Sequence, residues 1–131
     1  MLMKYGNVQS VEDLEVFQRA YRLSIDVHRL TLGFPKTEQF GGLADQLRRS
    51  SKSICALIAE GSGRQRGSKA EFRRYVIMAI GSADETKLWC RYAADLGYID
   101  RATYEEWSDG YGQVARMLQA LATKVASSSE Y

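Results

Sequence analysis

The fold class is predicted by residues 101–126, which read RATYEEWSDGYGQVARMLQALATKVA. Apolar side chains recur in this stretch at alternating steps of three and four residues. They are Tyr104, Trp107, Tyr111, Val114, Leu118, Leu121 and Val125. An α-helix makes one turn in about 3.6 residues, so this spacing puts all of them on one side of a helix. One such helix cannot cover its own apolar side, and the stretch therefore predicts a bundle of packed helices.

Three more helices are predicted on the amino-terminal side of this stretch. They cover residues 11–32, 43–60 and 68–96. Ser68 and Glu71 have the spacing of a capping box, which marks a helix start. The glycines of Glu60-Gly61-Ser62-Gly63 are predicted to end the helix before it, and Gly33-Phe34-Pro35 the first helix. No segment shows the strict alternation that predicts a β-strand.

The length of the chain sets its domain organisation. A chain of 131 residues suffices for one domain around one core, so we predict a single all-α domain over residues 1–131. The chain contains one proline, which leaves almost all of it free to be helical. Short connectors favour antiparallel neighbours. The sequence thus predicts an up-down-up-down antiparallel four-helix bundle.

The first predicted helix carries two apolar stripes instead of one. The first stripe comprises Leu14, Phe17, Tyr21, Ile25, His28 and Leu32, and the second Val16, Ala20, Leu23, Val27 and Leu30. At about 100° per residue the stripes lie roughly 140° apart, about twice the arc that one core requires. The pattern leaves open which stripe faces the bundle. We predict that the second stripe contacts other copies of the chain in a ring-like homo-oligomer, the alternative being a helix inserted deeply within the monomer.

Composition predicts a cytoplasmic protein. Hydrophobic residues make up 45% of the chain and charged residues 26%, which is typical of globular proteins. Residues 1–10 lack the pattern of a signal peptide, and no apolar stretch approaches the roughly 20 residues that span a bilayer. Cys55 and Cys90 have neither metal-binding nor redox-motif spacing. We expect them to be buried, reduced thiols.

Positive charge is concentrated in the middle of the chain, although the net charge is only +2. Residues 48–74 contain eight basic and two acidic residues, a balance of +6. The basic residues are Arg48, Arg49, Lys52, Arg64, Arg66, Lys69, Arg73 and Arg74. We predict that they contact the phosphates of RNA or DNA, because lysine and arginine supply most of the affinity for nucleic acid. The alternative is a solvated connector whose arginines only keep the protein soluble.

The sequence offers little for catalysis. The glycine-rich residues 61–69 lack the GxxxxGK and GxGxxG spacings of nucleotide-binding loops, and they follow a predicted helix instead of a strand. His28 is the only histidine, and no Glu-x-x-His motif is present. The paired acids Asp84-Glu85 and Glu105-Glu106 are adjacent, so they point to different sides of a helix. We predict that the protein is not an enzyme and needs neither a cofactor nor a metal ion.

Six sequence blocks occur together in a specific order. They are Asp13 to Phe17 with Ala20, Phe34-Pro35-Lys36-Thr37-Glu38, Gln46-Leu47-Arg48-Arg49, Ser53 to Arg64, Ala79 to Glu85, and Leu96-Gly97-Tyr98-Ile99. In this order they resemble the family of 23S rRNA-intervening sequence proteins, although each block alone is weak. One position differs. Leu57 stands where the family usually has an asparagine, and leucine cannot make the hydrogen bonds of an amide.

The resemblance implies an up-down four-helix bundle that assembles as a homopentamer around a central channel. It implies no catalytic residues, and it suggests association with RNA because some members are encoded within insertions in ribosomal RNA genes. A similar bundle, the accessory variability protein of diversity-generating retroelements, partners a reverse transcriptase and its RNA. We therefore predict an oligomeric, RNA-associated accessory protein whose candidate partners include a nucleic-acid-processing protein such as a reverse transcriptase. The alternative is a protein-binding scaffold that does not bind nucleic acid.

Overall fold

The fold is all-helical, as the sequence predicts. A computed structural model describes residues 14–64 and 68–126, and within them there are four α-helices and no strand. The helices are α1 (Glu15–Thr31), α2 (Leu43–Arg64), α3 (Lys69–Asp95) and α4 (Arg101–Ala126). A short 3-10 helix, Lys36–Glu38, lies between α1 and α2. The predicted start of the first helix at residue 11 lies outside the described residues.

Each helix packs against two others. α1 contacts α2 and α4, and α3 contacts the same two helices. Within the described residues, Cα atoms of α1 nowhere come within 8 Å of those of α3, and the same is true of α2 and α4. The four helices therefore surround one core, with α1 and α3 on opposite sides of it.

The core contains the stripe of α4 from which the fold class was predicted. Trp107, Tyr111, Val114 and Leu118 are all buried, and α2 and α3 cover them with other large apolar side chains. These are Leu47, Ile54, Ile58, Phe72 and Val76. Burying one such side chain completely stabilises the fold by about 1.5–3 kcal/mol. Leu57 is half-buried against the same cluster, so it contributes apolar contact where an amide would need a hydrogen-bond partner.

The carboxyl end of α2 differs from the prediction. The glycines at positions 61 and 63 were expected to end the helix, but α2 continues to Arg64. A Cβ atom added at Gly61 would lie 2.5 Å from the Cβ of Tyr75 on α3. Gly61 therefore permits a close approach of the α2 backbone to Tyr75 of α3, and the prediction that it stops the helix is wrong.

Both ends of α3 follow the signals in the sequence. The Ser68 side chain accepts a 3.1 Å hydrogen bond from the backbone N–H of Glu71, which confirms the predicted cap. At the other end Gly97 has φ +80°, a left-handed conformation that glycine adopts without strain. The backbone N–H of Tyr98 then donates to the carbonyl of Ala93 at 2.8 Å, and this bond closes the helix.

The burial of residues on α1 differs from the predicted oligomer interface. Val16, Ala20 and Val27 are buried within one copy of the chain, where no second copy could contact them. That part of the prediction is wrong. The other two residues of that stripe lie at its edge, because Leu23 packs against the core beside α4 and Leu30 is 39% exposed. The stripe therefore faces the bundle, and the outer side of α1 carries the other stripe.

Candidate nucleic-acid and assembly surfaces

The structure divides the predicted nucleic-acid contacts into two groups. Arg48, Arg49 and Lys52 lie near the start of α2, whereas Lys69, Arg73 and Arg74 begin α3 beside the other end of α2. Fifteen residues separate Arg49 from Arg64, which corresponds to about 22 Å of helix. The Arg64 side chain and all of Arg66 lie outside the described structure. The six residues whose side chains the structure describes consequently fall into two separate groups.

The group at the start of α2 includes a histidine that the sequence did not connect with it. Lys52 Nζ lies 2.9 Å from His28 Nδ1, which brings a residue of α1 to the basic residues of α2. A lysine ammonium can only donate, so Nδ1 accepts and the imidazole ring is neutral in this arrangement. We refer to His28, Arg48 and Lys52 as the basic cluster.

Arg48 is held in the basic cluster by uncharged groups. One of its terminal nitrogens donates to Thr31 Oγ1 at 3.1 Å, and the other donates to the backbone carbonyl and the side-chain oxygen of Gln39, each also at 3.1 Å. These bonds link α2 to the end of α1 and to the connector between them. They orient the guanidinium but leave its positive charge without a carboxylate partner in residues 14–64 and 68–126.

Positive charge dominates the surroundings of His28. Partial loss of solvent and then the charges of Lys52 and Arg48 lower the pKa of His28 below its ordinary value of 6.5. No acidic side chain of the described residues is among the causes of this shift. At neutral pH the basic cluster therefore has two positive charges beside a neutral ring, a combination that attracts an anion.

Three other arginines of the predicted set interact with carboxylate or carbonyl oxygens of the described residues. Arg49 pairs with Asp45 at 3.1 Å, and Arg74 pairs with Glu71 at 3.3 Å. Arg73 donates to the backbone carbonyl of Ala122 at 3.1 Å, which ties the start of α3 to the last turns of α4. Because Glu71 compensates the charge of Arg74, Arg74 is a weaker candidate for a phosphate contact than the basic cluster.

The outer side of α3 is apolar along most of its length. It presents Ile77, Met78, Leu88, Tyr92 and Leu96, each between 42% and 55% exposed. Gly81 lies among them, and a Cβ added there would have no neighbour within 4 Å in the part of the chain that the structure describes. The exposed acids Asp84 and Glu85 border this surface, and neither forms an ion pair within the part of the chain that the structure describes. We refer to these residues as the α3 face.

The outer side of α1 is apolar too, but its charges are positive. Tyr21 is 52% exposed and Leu32 61% exposed, with the half-buried Phe17 and Ile25 beside them. The rings of Phe17 and Tyr21 stack with their centroids 6.2 Å apart. The exposed Arg22 and Arg29 accompany these side chains, and neither has a carboxylate partner among the described residues. We refer to these six residues as the α1 face.

The described residues contain few groups suited to catalysis. No three side chains among histidine, cysteine, aspartate and glutamate come together there as a metal ion would require. Burial raises the pKa of the Cys55 thiol to about 11 and that of Cys90 to about 12, so both stay protonated at neutral pH. None of the described helices has the length and apolar character needed to cross a membrane.

Comparison with known proteins places the chain in a family. The family model for the 23S rRNA-intervening sequence protein matches residues 12–120. A crystal structure from Bacteroides thetaiotaomicron, described as a protein with unknown function from the S23 ribosomal protein family, has a similar fold with a TM-score of 0.72. It is 23% identical in sequence, and the match covers 82% of this chain and 97% of that one. No curated protein matches the chain. The chain belongs to the family of 23S rRNA-intervening sequence proteins.

Proposed function

We propose that the protein is a cytoplasmic, non-enzymatic accessory protein that assembles with copies of itself and binds RNA through the basic cluster. Each copy is an up-down-up-down four-helix bundle, and the copies form a ring. The family resemblance suggests five copies. The observation that carries the proposal is the presence of two exposed apolar faces of opposite charge on helices that do not touch each other.

Contacts between neighbouring helices support the alternating direction of the bundle. Between α2 and α3, Ser50 lies opposite Thr86 at 2.8 Å and Ser53 lies opposite Ser82 at 3.0 Å. The residue number therefore rises on one helix while it falls on the other. The bond from Arg73 at the start of α3 to Ala122 near the end of α4 likewise supports an antiparallel arrangement of these two helices.

Self-assembly follows from the nature of the two faces. Contiguous exposed apolar surface on a soluble protein marks interaction sites. The α1 face adds two arginines to its apolar side chains, whereas the α3 face adds two acids, so each face complements the other. The two faces lie on opposite sides of one bundle and cannot meet within it. An interface between two unlike surfaces is heterologous, and such interfaces close into rings when the rotation allows it.

RNA association rests on the basic cluster together with the assembly. One cluster provides few phosphate contacts, but a ring repeats it once in every copy, and the summed field attracts a polyanion. The family description, an intervening sequence of 23S rRNA, makes RNA the polyanion to test first. A protein-binding scaffold that uses the same ring is the competing function, and it predicts no measurable affinity for RNA.

A salt titration tests the RNA proposal. Fluorescence anisotropy with a labelled RNA should show binding that weakens as salt concentration rises. At any one salt concentration, Lys52→Met should bind the RNA more weakly than the native protein does. The matched control is Arg116→Gln. It removes one positive charge from an exposed position on α4, a helix that does not contact α2 within the described residues. Affinity that is independent of salt, or equal losses in the two variants, would reject the basic cluster as the RNA contact.

A further inference from the structure

We propose that the basic cluster is a phosphate-binding site in which the phosphate group and a proton on His28 bind together. This inference rests on the proposed function and deepens it, because it names the chemical group that the cluster recognises and the pH dependence of that recognition. Its parts are the donors of Arg48 and Lys52, the ring of His28, and the arrangement that holds them.

The first step is the number of donors still available. A guanidinium has five N–H groups, and the described bonds of Arg48 to Thr31 and Gln39 use three of them. The ammonium of Lys52 has three, and one points at His28. Two N–H groups remain on each side chain, at one place on the surface where α1 and α2 meet. A phosphate group offers several oxygen acceptors, and arginine paired with lysine is a common way to bind it.

The second step is the absence of competition from nearby acids. The carboxylate of Asp45 is occupied by Arg49 and by the backbone N–H of Gly41. The carboxylate of Glu38 is occupied by the backbone N–H of Leu43 and the hydroxyl of Tyr98. Within the described residues no acid forms an ion pair with the basic cluster, and the charge of Asp45 acts on Arg48 only from a distance. An anionic ligand would therefore be attracted by both charges.

The third step concerns the protonation of His28 when a phosphate group binds. Without a ligand, Nδ1 of His28 accepts from Lys52 at 2.9 Å, and a proton on Nδ1 would set two donors against each other across that distance. A phosphate oxygen between the two nitrogens removes the conflict, because it can accept from both. The bound anion also offsets the repulsion between a protonated ring and its cationic neighbours. Phosphate binding and protonation of His28 should therefore strengthen each other.

The charged groups around His28 are compatible with this linkage. Lys52 and Arg48 face it from α2. On its own helix, Asp26 and Arg29 line a groove with Glu106 of α4, on the side of α1 that faces away from α2. The helix α3 does not approach α1. The proton on His28 thus responds mainly to the two cations of the basic cluster and to whatever anion they hold.

The single histidine makes the linkage directly measurable. His28 is the only histidine of the chain, so the histidine ring signals in an NMR spectrum belong to it, and their titration midpoint can be followed without distinguishing residues. A short uridine oligonucleotide is a suitable probe, because phosphodiesters keep a constant charge over the range in which histidine titrates, about pH 5 to 8. At constant ionic strength we expect the probe to raise the midpoint by about one pH unit, equivalent to about tenfold tighter binding to the protonated form.

Two variants separate the linkage from RNA binding itself. His28→Gln retains a hydrogen-bond acceptor for Lys52 but cannot take up a proton, so it should bind the oligonucleotide with an affinity that no longer rises as the pH falls. Lys52→Met should lower affinity and abolish the shift in the histidine midpoint. Oligonucleotide binding with the same pH dependence in the native protein and in His28→Gln would overturn the proton linkage and leave the proposed function standing.

A free anion tests the site independently of RNA. Sulfate keeps its charge over the same pH range, and we expect it to raise the His28 midpoint in the native protein but not in Lys52→Met. A sulfate shift without oligonucleotide binding would support the anion site and overturn the proposed RNA function. A midpoint that neither sulfate nor the oligonucleotide moves would overturn the inference.

Discussion

The hydroxyl of Tyr98 donates a 2.9 Å hydrogen bond to the carboxylate of Glu38, sixty positions away in the sequence. The other oxygen of the same carboxylate accepts from the backbone N–H of Leu43 at 2.7 Å. Phe34 packs against the Tyr98 ring with centroids 5.1 Å apart. These contacts join two of the blocks on which the family resemblance rests, residues 34–38 and 96–99. The two blocks meet at one end of the bundle and hold the start of α2.

The bonds at Glu38 predict a contribution to stability that depends on pH. The bond from Leu43 and then that from Tyr98 lower the pKa of Glu38 in the folded protein. The contribution is therefore fully present above 4.5, the ordinary value of this carboxyl, and is lost as the pH falls through the lower folded-state value. Urea unfolding between neutral and acidic pH should show a smaller loss of stability for Glu38→Gln than for the native protein. Glu106→Gln, which removes an exposed carboxylate, is the control and should keep the native dependence.

Gly61 predicts a steric effect at the contact between α2 and α3. A methyl group at this position meets the Cβ of Tyr75 at 2.5 Å, so Gly61→Ala should destabilise the fold by about 1–3 kcal/mol through overpacking. Gly112 is also within a helix, but an added Cβ there has only ordinary contacts at 3.5 Å with the flexible ends of Arg116 and Lys87. Gly112→Ala should stabilise by about 0.5–1 kcal/mol. Chemical unfolding measures both variants, and equal effects would contradict the close approach at Gly61.

The buried polar groups of the core predict opposite effects for two substitutions. Thr86 is fully buried, donates to the carbonyl of Ser82 at 2.7 Å and lies 2.8 Å from the hydroxyl of Ser50. Thr86→Val leaves the Ser50 hydroxyl without this partner and should cost about 1–3 kcal/mol.

Tyr111 is the matched case. Its buried hydroxyl lies near Ser51 but makes no hydrogen bond of standard geometry within the described residues. Tyr111→Phe removes a polar group that burial disfavours, and thermal unfolding should show unchanged or higher stability. A loss as large as that of Thr86→Val would mean that the Tyr111 hydroxyl has a partner in the folded protein.

The open space at Gly81 predicts a variant that affects assembly alone. Gly81→Trp adds a large side chain to the α3 face, and none of the described residues has an atom within 4 Å of the added Cβ. We expect a folded protein with a native circular dichroism spectrum and a smaller mass in light scattering, because the indole would separate the α3 face from the next copy. Gln119→Trp adds the same group to the exposed side of α4 and should keep the native mass. A native mass for Gly81→Trp would exclude Gly81 from the interface.

Periodicity predicted the helices well because the relevant physics is local. The step of three and four residues in α4 reports a helical apolar side whatever covers it, and the core confirms Trp107, Tyr111, Val114 and Leu118. In α1 both stripes have the right period, and only packing decides between them. The polar Ser24 and Thr31 face the core there, because their hydroxyls bond to carbonyls of their own helix.

The candidate sites were harder to predict because they depend on distances between distant residues. The closeness of the eight basic residues in the sequence suggested one continuous basic surface. A helix nevertheless separates Arg49 from Arg64 by about 22 Å. Conversely, nothing in the sequence connects His28 with Lys52, which packing of α1 on α2 brings to 2.9 Å. A glycine that ends a helix and one that permits a close approach look alike in a sequence, and Gly61 is the second kind.

Charge exchange between the two faces tests the proposed assembly most directly, by the mass of the particle in analytical ultracentrifugation. Arg22→Glu with Arg29→Glu makes both faces acidic, and Asp84→Lys with Glu85→Lys makes both basic. Each double variant should lose the native assembly through repulsion of like charges. The variant with all four substitutions restores opposite charges and should recover the native mass. Native mass in either double variant, or a quadruple variant that stays monomeric while folded, would contradict assembly through the α1 and α3 faces.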